Sequence, residues 1–241
     1  MTPWLRQDPR LAAAGWAHGW STEAGPDFGG DPGAPAHCGP VGRLTAAVGL
    51  TEAAWVRQVH GGTVLRADGP GCLGEADALW SGRPGLGVIG RGADCPLVLV
   101  GLDGPKPVWG FAHASWRSTV QGITASLVAA MAAAGGDPAL ARAVICPSAG
   151  PCCYEVGGEV RAAALRSLGR GAAGLFAAAG DRWILDLWRA NLAQLESAGV
   201  SPERVQTVGH CTICGDGFPS FRRQGPAAGR FAAIIGRAAR T

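Results

Sequence analysis

The sequence has few of the features that mark membrane, secreted or nucleic-acid-binding proteins. No apolar run approaches the roughly 18 residues of a membrane span, and the first residues lack the basic-then-apolar pattern of a signal peptide. Charged residues make up only 16% of the chain, the net charge is +3, and no long basic run occurs. We therefore expect a cytoplasmic chain with no nucleic-acid partner and no membrane attachment.

The cysteine count gives little support for a disulfide framework. Eight cysteines form an even set, but the chain has 241 residues and Cys152 and Cys153 are neighbours. Disulfide scaffolds are typical of small secreted chains. We therefore predict free thiols or metal ligands. The 47% hydrophobic content is enough for a core, and we predict one domain over residues 1–241.

Strand-like and helical segments alternate along the chain, which predicts an α/β fold. Amphipathic or apolar spacing predicts helices over residues 187–198 and 120–134. Two buried-strand runs, 96–102 and 107–113, flank the turn sequence 103–106 and predict an antiparallel hairpin. A hairpin in an α/β fold requires a mixed sheet. The remaining predictions are strands at 54–60, 63–65, 78–80, 87–90, 142–146, 183–185 and 204–208, helices at 159–168 and 172–179, and a surface loop at 25–40.

The predicted hairpin brings two reactive side chains together. If its paired positions sum to about 209, the Cβ atoms of Cys95 and His113 lie roughly 5–7 Å apart. His60 also ends a predicted strand. Two imidazoles and one thiolate are a tetrahedral zinc set that leaves a fourth position for water, and Asp94 is a candidate partner for them or proton acceptor. The spacing alone leaves open that these residues are unrelated buried polar groups.

Several other side chains are candidates for binding. Arg117 follows His113 by four residues and has the geometry to hold an anion through two hydrogen bonds. Arg222 and Arg230 belong to a C-terminal arginine cluster that is either a phosphate or carboxylate loop or an ordinary solvated surface. Tyr154 is a candidate for stacking on a base, and His18 for the rim of the site.

Four cysteines lie outside this constellation. Cys211 and Cys214 form a C-x-x-C pair, and a structural zinc site needs a second pair. Cys152 and Cys153 are able to supply that pair if the fold brings them close. The alternative is that all four are partly buried thiols.

These motifs, taken together, resemble the YfiH-like or laccase-domain family. The matching segments are HGWST (18–22), QVHG (58–61), ADALW (76–80), ADC (93–95), HASWR (113–117), GPCCYEVG (150–157), NLAQLESAGV (191–200), CTIC (211–214), SFRR (220–223) and GR (229–230). They cover nearly the whole chain. The resemblance implies a mixed-sheet α/β/α sandwich similar to the cytotoxic necrotizing factor-like cysteine hydrolases, in a monomer or a homodimer.

The resemblance also implies a site and an activity. It implies a zinc ion held by His60, Cys95 and His113, and a zinc-dependent purine nucleoside enzyme. The reactions are phosphorolysis of adenosine, inosine, guanosine or methylthioadenosine, and deamination of adenosine. Catalytic roles fall to His60, Asp94, Cys95 and His113, and substrate or phosphate binding falls to Gln58, Arg117, Tyr154 and Arg222.

Two alternatives remain at this point. In the first, Cys95 is the nucleophile and His113 the base of a hydrolase that edits peptidoglycan precursors by removing misincorporated L-serine. In the second, copper replaces zinc in a polyphenol oxidase, because two histidines and one cysteine match the equatorial ligands of blue copper. Five histidines are too few for an additional multicopper cluster, and the only internal methionine, Met131, lies in a predicted helix.

Overall fold

A computed structural model describes residues 2–239. Its strands are β1 Leu5–Arg6, β2 Ala17–Ser21, β3 Glu52–Arg57, β4 Val64–Arg66, β5 Gly71–Glu75, β6 Ala78–Ser81, β7 Leu86–Gly92, β8 Leu97–Leu102, β9 Val108–His113, β10 Arg142–Ile145, β11 Glu155–Val156, β12 Phe176–Ala179, β13 Arg182–Leu185, β14 Val205–Thr207 and β15 Phe231–Gly236. Its α-helices are α1 Pro9–Ala13, α2 Cys38–Ala47, α3 Trp116–Val120, α4 Ile123–Ala133, α5 Gly158–Leu168, α6 Leu187–Ser197 and α7 Phe221–Gln224.

Most strands belong to two six-stranded sheets, and both sheets are mixed. The first has the order β1-β2-β15-β7-β3-β5, in which β7, β3 and β5 run parallel and the other neighbours are antiparallel. The second has the order β14-β10-β8-β9-β6-β4, with parallel pairs only at its two edges. A small sheet, β11-β13-β12, stands apart. The predicted mixed α/β architecture is therefore confirmed.

The two large sheets pack face to face. A buried apolar cluster draws side chains from both, including Val88 and Phe231 of the first sheet and Leu99 and Phe111 of the second. The outer face of the first sheet packs on α2, and the outer face of the second packs on α4 and α6. The layers therefore run helix, sheet, sheet, helix. The expected α/β/α sandwich has only one sheet layer, and on this point the expectation is wrong.

Glycine allows the two sheets to approach closely at one point. A Cβ atom on Gly90 of β7 would lie only 2.5 Å from the ring of Phe111 on β9. Any side chain at this position would separate the sheets or displace that ring, since interiors are close-packed. We attribute the glycine at position 90 to this contact.

Local sequence pattern predicted most elements, and the structure differs from these predictions in three places. Residues 172–179, predicted as a helix, form a 3₁₀ turn followed by strand β12, which pairs with β13. The alanine run there favours a helix locally, but tertiary pairing overrides this preference. The predicted helix 120–134 begins later, as α4 at Ile123, because Gly122 before it is in a left-handed conformation and Val120 already ends the separate helix α3. In the predicted loop 25–40, α2 already begins at Cys38.

Among residues 2–239, no helix has the length and apolarity needed to cross a membrane.

Candidate active site

The candidate site lies at one end of the two-sheet sandwich, where the chain passes between the sheets. His60 follows β3 of the first sheet, and Cys95 lies in the short crossing from β7 to β8. His113 is the last residue of β9 in the second sheet. Strand ends that open onto loops are the places where a rigid scaffold presents reactive groups.

The predicted hairpin exists, and it places Cys95 beside His113. Leu97 pairs with His113 and Leu102 with Val108, so the paired positions sum to 210 and the register is one residue from the predicted one. Cys95 therefore lies diagonally across from His113. The nearest ligand atoms of His60, Cys95 and His113 all lie within 4.8 Å of one another.

A buried aspartate, Asp77, organises this group. Its carboxylate accepts a hydrogen bond from Nδ1 of His113 at 2.7 Å and from the backbone N–H of His60 at 2.9 Å. The backbone N–H groups of Val59 and Gly61 also donate to it, at 3.2 and 2.6 Å. Asp77 thus fixes the His60 loop and the ring orientation of His113 through one side chain, leaving Nε2 of His113 for the site.

Sequence reasoning missed the role of Asp77 and looked to Asp94 for the partner of the histidines. A signal was present, because Asp77 interrupts the otherwise apolar run ADALW at residues 76–80. A charged residue inside a buried strand run must be paired. Asp94 is occupied elsewhere: its two carboxylate oxygens accept from the hydroxyl of Thr212 at 2.7 Å and from the backbone N–H of Arg222 at 2.6 Å.

The electrostatics of the site favour a thiolate beside a protonated imidazole. Burial raises the pKa of Cys95, but the charge and hydrogen bonds of His113 and His60 outweigh burial and lower that pKa to about 6. Burial lowers the pKa of His113, but Cys95 and Asp77 together raise it to about 9. Cys95 is therefore ready at neutral pH either to ligate a metal or to act as a nucleophile.

Backbone strain is concentrated at the same place. His60 and Asp94 have φ angles of 61° and 89°, and they are the only non-glycine residues with positive φ within residues 2–239. Such conformations cost about 1–3 kcal/mol each and persist where the surrounding structure imposes them. At His60 the three N–H bonds to Asp77 impose it, and this conformation directs the imidazole toward Cys95.

The three side chains fit a bound metal ion by their chemistry. Two imidazoles and one thiolate on converging backbone segments form a three-ligand set, and the open fourth position is typical of catalytic sites. Asp77 supplies the carboxylate that commonly supports a ligating histidine. The donor set does not distinguish zinc from copper by itself.

A ligand-sized cavity of about 550 Å³ opens onto His60, Cys95 and His113. Asp94 and Tyr154 contribute to its wall, together with the arginines at positions 91, 222 and 230. Burial and the neighbouring positive charges of Arg230 and Arg57 lower the pKa of Arg91. A concentration of guanidinium groups beside a three-ligand site is typical of a pocket that binds an anion.

A sequence profile described as "Multi-copper polyphenol oxidoreductase laccase" matches residues 40–238. The chain belongs to this laccase-domain, or YfiH, family. A purine nucleoside phosphorylase of Deinococcus radiodurans is 39% identical over 205 residues, covering 80% of this chain and 74% of the relative. Purine nucleoside phosphorylase YfiH of Escherichia coli is 34% identical over 197 residues, covering 80% and 77%.

The fold is also that of solved YfiH proteins. The crystal structure of a hypothetical YfiH protein from Bacillus licheniformis superposes with a TM-score of 0.84 at 25% identity. The match covers 98% of this chain and all of that one. Two mixed sheets are therefore the arrangement that this laccase-domain chain shares with its structural neighbour.

The predicted binding residues of this laccase-domain chain divide into two groups. Tyr154 and Arg222 both line the cavity, and the guanidinium of Arg222 lies 5.3 Å from the centre of the Tyr154 ring. Arg117 does not line it: its side chain is exposed and stacks on Trp116 at 4.4 Å. A role for Arg117 in binding the substrate or phosphate therefore stays a prediction. Arg91 does line the cavity, although no sequence motif identified it as a binding residue.

Two other predicted residues prove to be structural in their contacts. Gln58 lines the cavity, but its amide exchanges hydrogen bonds of 2.7 and 2.9 Å with the backbone of Arg91 and so joins β3 to β7. His18 is fully buried and bonded to the backbone of Trp16 and Asp8, so its expected place at the rim of the site is wrong.

Proposed function

We propose that this protein is a zinc-dependent purine nucleoside phosphorylase whose metal is held by His60, Cys95 and His113. One observation carries the proposal: a three-ligand metal set forms one side of a cavity that also contains Arg91, Arg222 and Arg230. The relatives named purine nucleoside phosphorylase support the same substrate class. Adenosine, inosine, guanosine and methylthioadenosine are the candidate substrates.

Phosphorolysis requires a site that binds phosphate next to the nucleoside. A phosphate oxygen bonds to C1′ of the ribose as the bond from C1′ to the purine nitrogen breaks, and the purine takes up a proton. The arginines of the cavity would hold the phosphate through charge-assisted hydrogen bonds. Tyr154, whose ring centre lies 5.3 Å from the guanidinium of Arg222, would offer its ring to the purine.

Deamination of adenosine fits the same cavity as a second reaction of this site. A zinc ion held by His60, Cys95 and His113 would supply a Lewis acid able to lower the pKa of water toward neutrality. Asp94 borders the cavity, with its carboxylate held in place by Thr212, and is our candidate for moving protons to and from the substrate. Asp77 keeps the ring of His113 oriented through either reaction.

A second candidate function is favoured by a specific observation. Cys95, His113 and Asp77 form a chain of nucleophile, base and orienting carboxylate like that of a cysteine hydrolase. In this reading the protein edits peptidoglycan precursors that carry a misplaced L-serine. Metal content separates the two candidates, because a bound zinc ion would occupy the thiolate that the hydrolase needs as its nucleophile.

Polyphenol oxidation by copper is the weakest candidate. Of the residues that line the cavity within the described chain, two are histidines and none is methionine. A blue-copper centre usually has a weak axial methionine. Met131 is fully buried between α4 and the second sheet.

The test of the proposed function is product analysis with and without phosphate. We expect the purified protein to contain zinc and to convert inosine to hypoxanthine and adenosine to adenine only when phosphate is present. Phosphate-independent formation of inosine from adenosine would report deamination. Zinc-free protein that releases no purine product, but hydrolyses a serine-containing peptidoglycan precursor, would establish the alternative instead.

The cavity arginines should control the affinity for phosphate. Replacing Arg230 with alanine removes one charge-assisted contact, so we expect KM for phosphate to rise about 10- to 100-fold. Arg170→Ala is the matched control, since this arginine is exposed, lies outside the cavity and should leave that KM unchanged. Initial rates measured against phosphate concentration at saturating inosine provide the comparison. Equal KM values for both variants would remove Arg230 from the phosphate site.

A further inference from the structure

The fold brings a second group of metal-ligating side chains together, formed by Cys152, Cys153, Cys211 and Cys214. The first two lie between β10 and β11, and the other two follow β14. The four Sγ atoms lie within 4.8 Å of one another, and those of Cys152 and Cys214 are 3.6 Å apart. We call this group the four-cysteine cluster.

The spacing of these sulfur atoms is close to that around a tetrahedral metal ion. With zinc–sulfur bonds of about 2.3 Å, the sulfur atoms of a four-thiolate site are about 3.8 Å apart. The Sγ atoms of the cluster, which lie within 4.8 Å of one another, would reach this spacing if the loops after β10 and β14 moved slightly closer together. Four thiolates with no water position are the arrangement of structural zinc sites.

The backbone around Cys211 is arranged to stabilise a thiolate. The N–H of Gly150 donates to Sγ of Cys211 at 3.3 Å. Thiolates are the metal-binding form of cysteine.

Glycine makes the tight turn of the C-x-x-C pair possible. The N–H of Gly215 donates to the carbonyl of Cys211 at 2.8 Å, and a Cβ at position 215 would lie only 2.6 Å from that carbonyl oxygen. The two loops are also joined directly, since Ser148 and Cys211 form an isolated parallel bridge. The cluster therefore rests on a backbone that is already positioned.

We propose that the four-cysteine cluster binds a structural zinc ion, separate from the His60–Cys95–His113 site. The ion would clamp the loop after β10 to the loop after β14. The first of these loops leads into Tyr154, and the second contains Thr212, which holds Asp94. Zinc at the cluster would thus support one wall of the cavity without contacting the substrate.

Metal analysis in a protein that lacks the first site tests this proposal independently of the proposed function. In the variant His60→Ala/Cys95→Ser, we expect about one zinc ion per chain to remain. Adding Cys211→Ser and Cys214→Ser should remove it. The control adds Cys38→Ser and Cys72→Ser, because these exposed cysteines lie outside both sites, and it should keep the ion.

Two further measurements keep the test decisive if the serine variant folds poorly. Cys214→His retains a zinc ligand and should keep the ion, since three cysteines and one histidine also form structural sites. Cobalt substituted into the His60→Ala/Cys95→Ser protein should show the visible absorption of tetrahedral cobalt thiolate. Three results would overturn the proposal. The His60→Ala/Cys95→Ser protein contains no metal ion, or it contains iron instead of zinc. Alternatively, mass spectrometry after its free thiols are blocked finds a Cys152–Cys214 disulfide.

Discussion

Replacing Cys95 with alanine should lower kcat/KM for inosine phosphorolysis by about 10³-fold or more. The substitution removes one of three metal ligands, and a catalytic metal contributes several kcal/mol of charge stabilisation in the transition state. It also removes the negative charge that raises the pKa of His113. We expect the variant to lose the zinc of this site, and with it the release of the purine base. Steady-state kinetics and metal analysis on the same preparation are the measurements.

A second substitution at the same position separates the two roles open to this cysteine. Cys95→Asp retains an anionic zinc ligand but offers no thiol nucleophile. If Cys95 is a ligand, this variant should keep part of its zinc and more phosphorolysis than the alanine variant. Wild-type protein that contains no zinc but hydrolyses a serine-containing peptidoglycan precursor, with this hydrolysis lost in Cys95→Asp, would instead identify Cys95 as the nucleophile. Cys72→Ser serves as the control, since Cys72 is exposed and lies outside both cysteine groups.

The sequence predicted the Cys95–His113 pair because that pair depends on a local feature. The turn sequence at 103–106 joins two apolar runs, and a hairpin follows from turn chemistry and strand length. Its register was wrong by one residue, since turn sequences of this kind allow more than one loop length. The prediction that Cys95 lies near His113 is nevertheless correct. Cys95 precedes the first pair of the hairpin, Leu97 and His113, and a shift of one residue still leaves it beside His113.

The two-sheet architecture was not predictable in the same way. Strand β15 lies between β2 and β7, and its partners are far from it in the chain. Apolar strands such as β7 and β8 are buried on both faces, so their residues do not alternate in a way that indicates which sheet they join. Sequence patterns report local burial well and strand order poorly.

The residues that line the cavity were also hard to predict when their positions depend on contacts between segments far apart in the chain. Arg91 reaches it from the middle of the first sheet and is fixed by the carbonyls of Phe28 and Gly30, at 3.0 and 2.7 Å. No spacing rule links residue 91 to residue 28. The predicted Arg117, in contrast, is near His113 in sequence, but its side chain is exposed and is not among the residues that line the cavity.

Replacing Asp77 with asparagine should affect the site almost as strongly, although Asp77 is not among the three ligands. The carboxylate is fully buried and accepts four hydrogen bonds, from Nδ1 of His113 and from three consecutive backbone N–H groups. An amide has one acceptor oxygen, so its NH₂ group must face N–H donors in either orientation. The pKa of Asp77 supports this reading: burial raises it, but His113 and the N–H groups of Gly61 and His60 outweigh burial and keep it below its usual range.

We expect Asp77→Asn to lower zinc affinity at the His60–Cys95–His113 site about 10- to 100-fold, since partners of ligating histidines commonly have effects of this size. We expect kcat/KM to fall at least in proportion, with a lower melting temperature from the unpaired N–H groups. Asp103→Asn is the matched control, because Asp103 lies at the opposite end of the same hairpin and pairs with Arg237 near the surface. Zinc titration by competition with a chelator, followed by assays at saturating zinc, separates weak metal binding from impaired chemistry. Unchanged zinc affinity and activity in Asp77→Asn would show that His113 needs no carboxylate partner for either role.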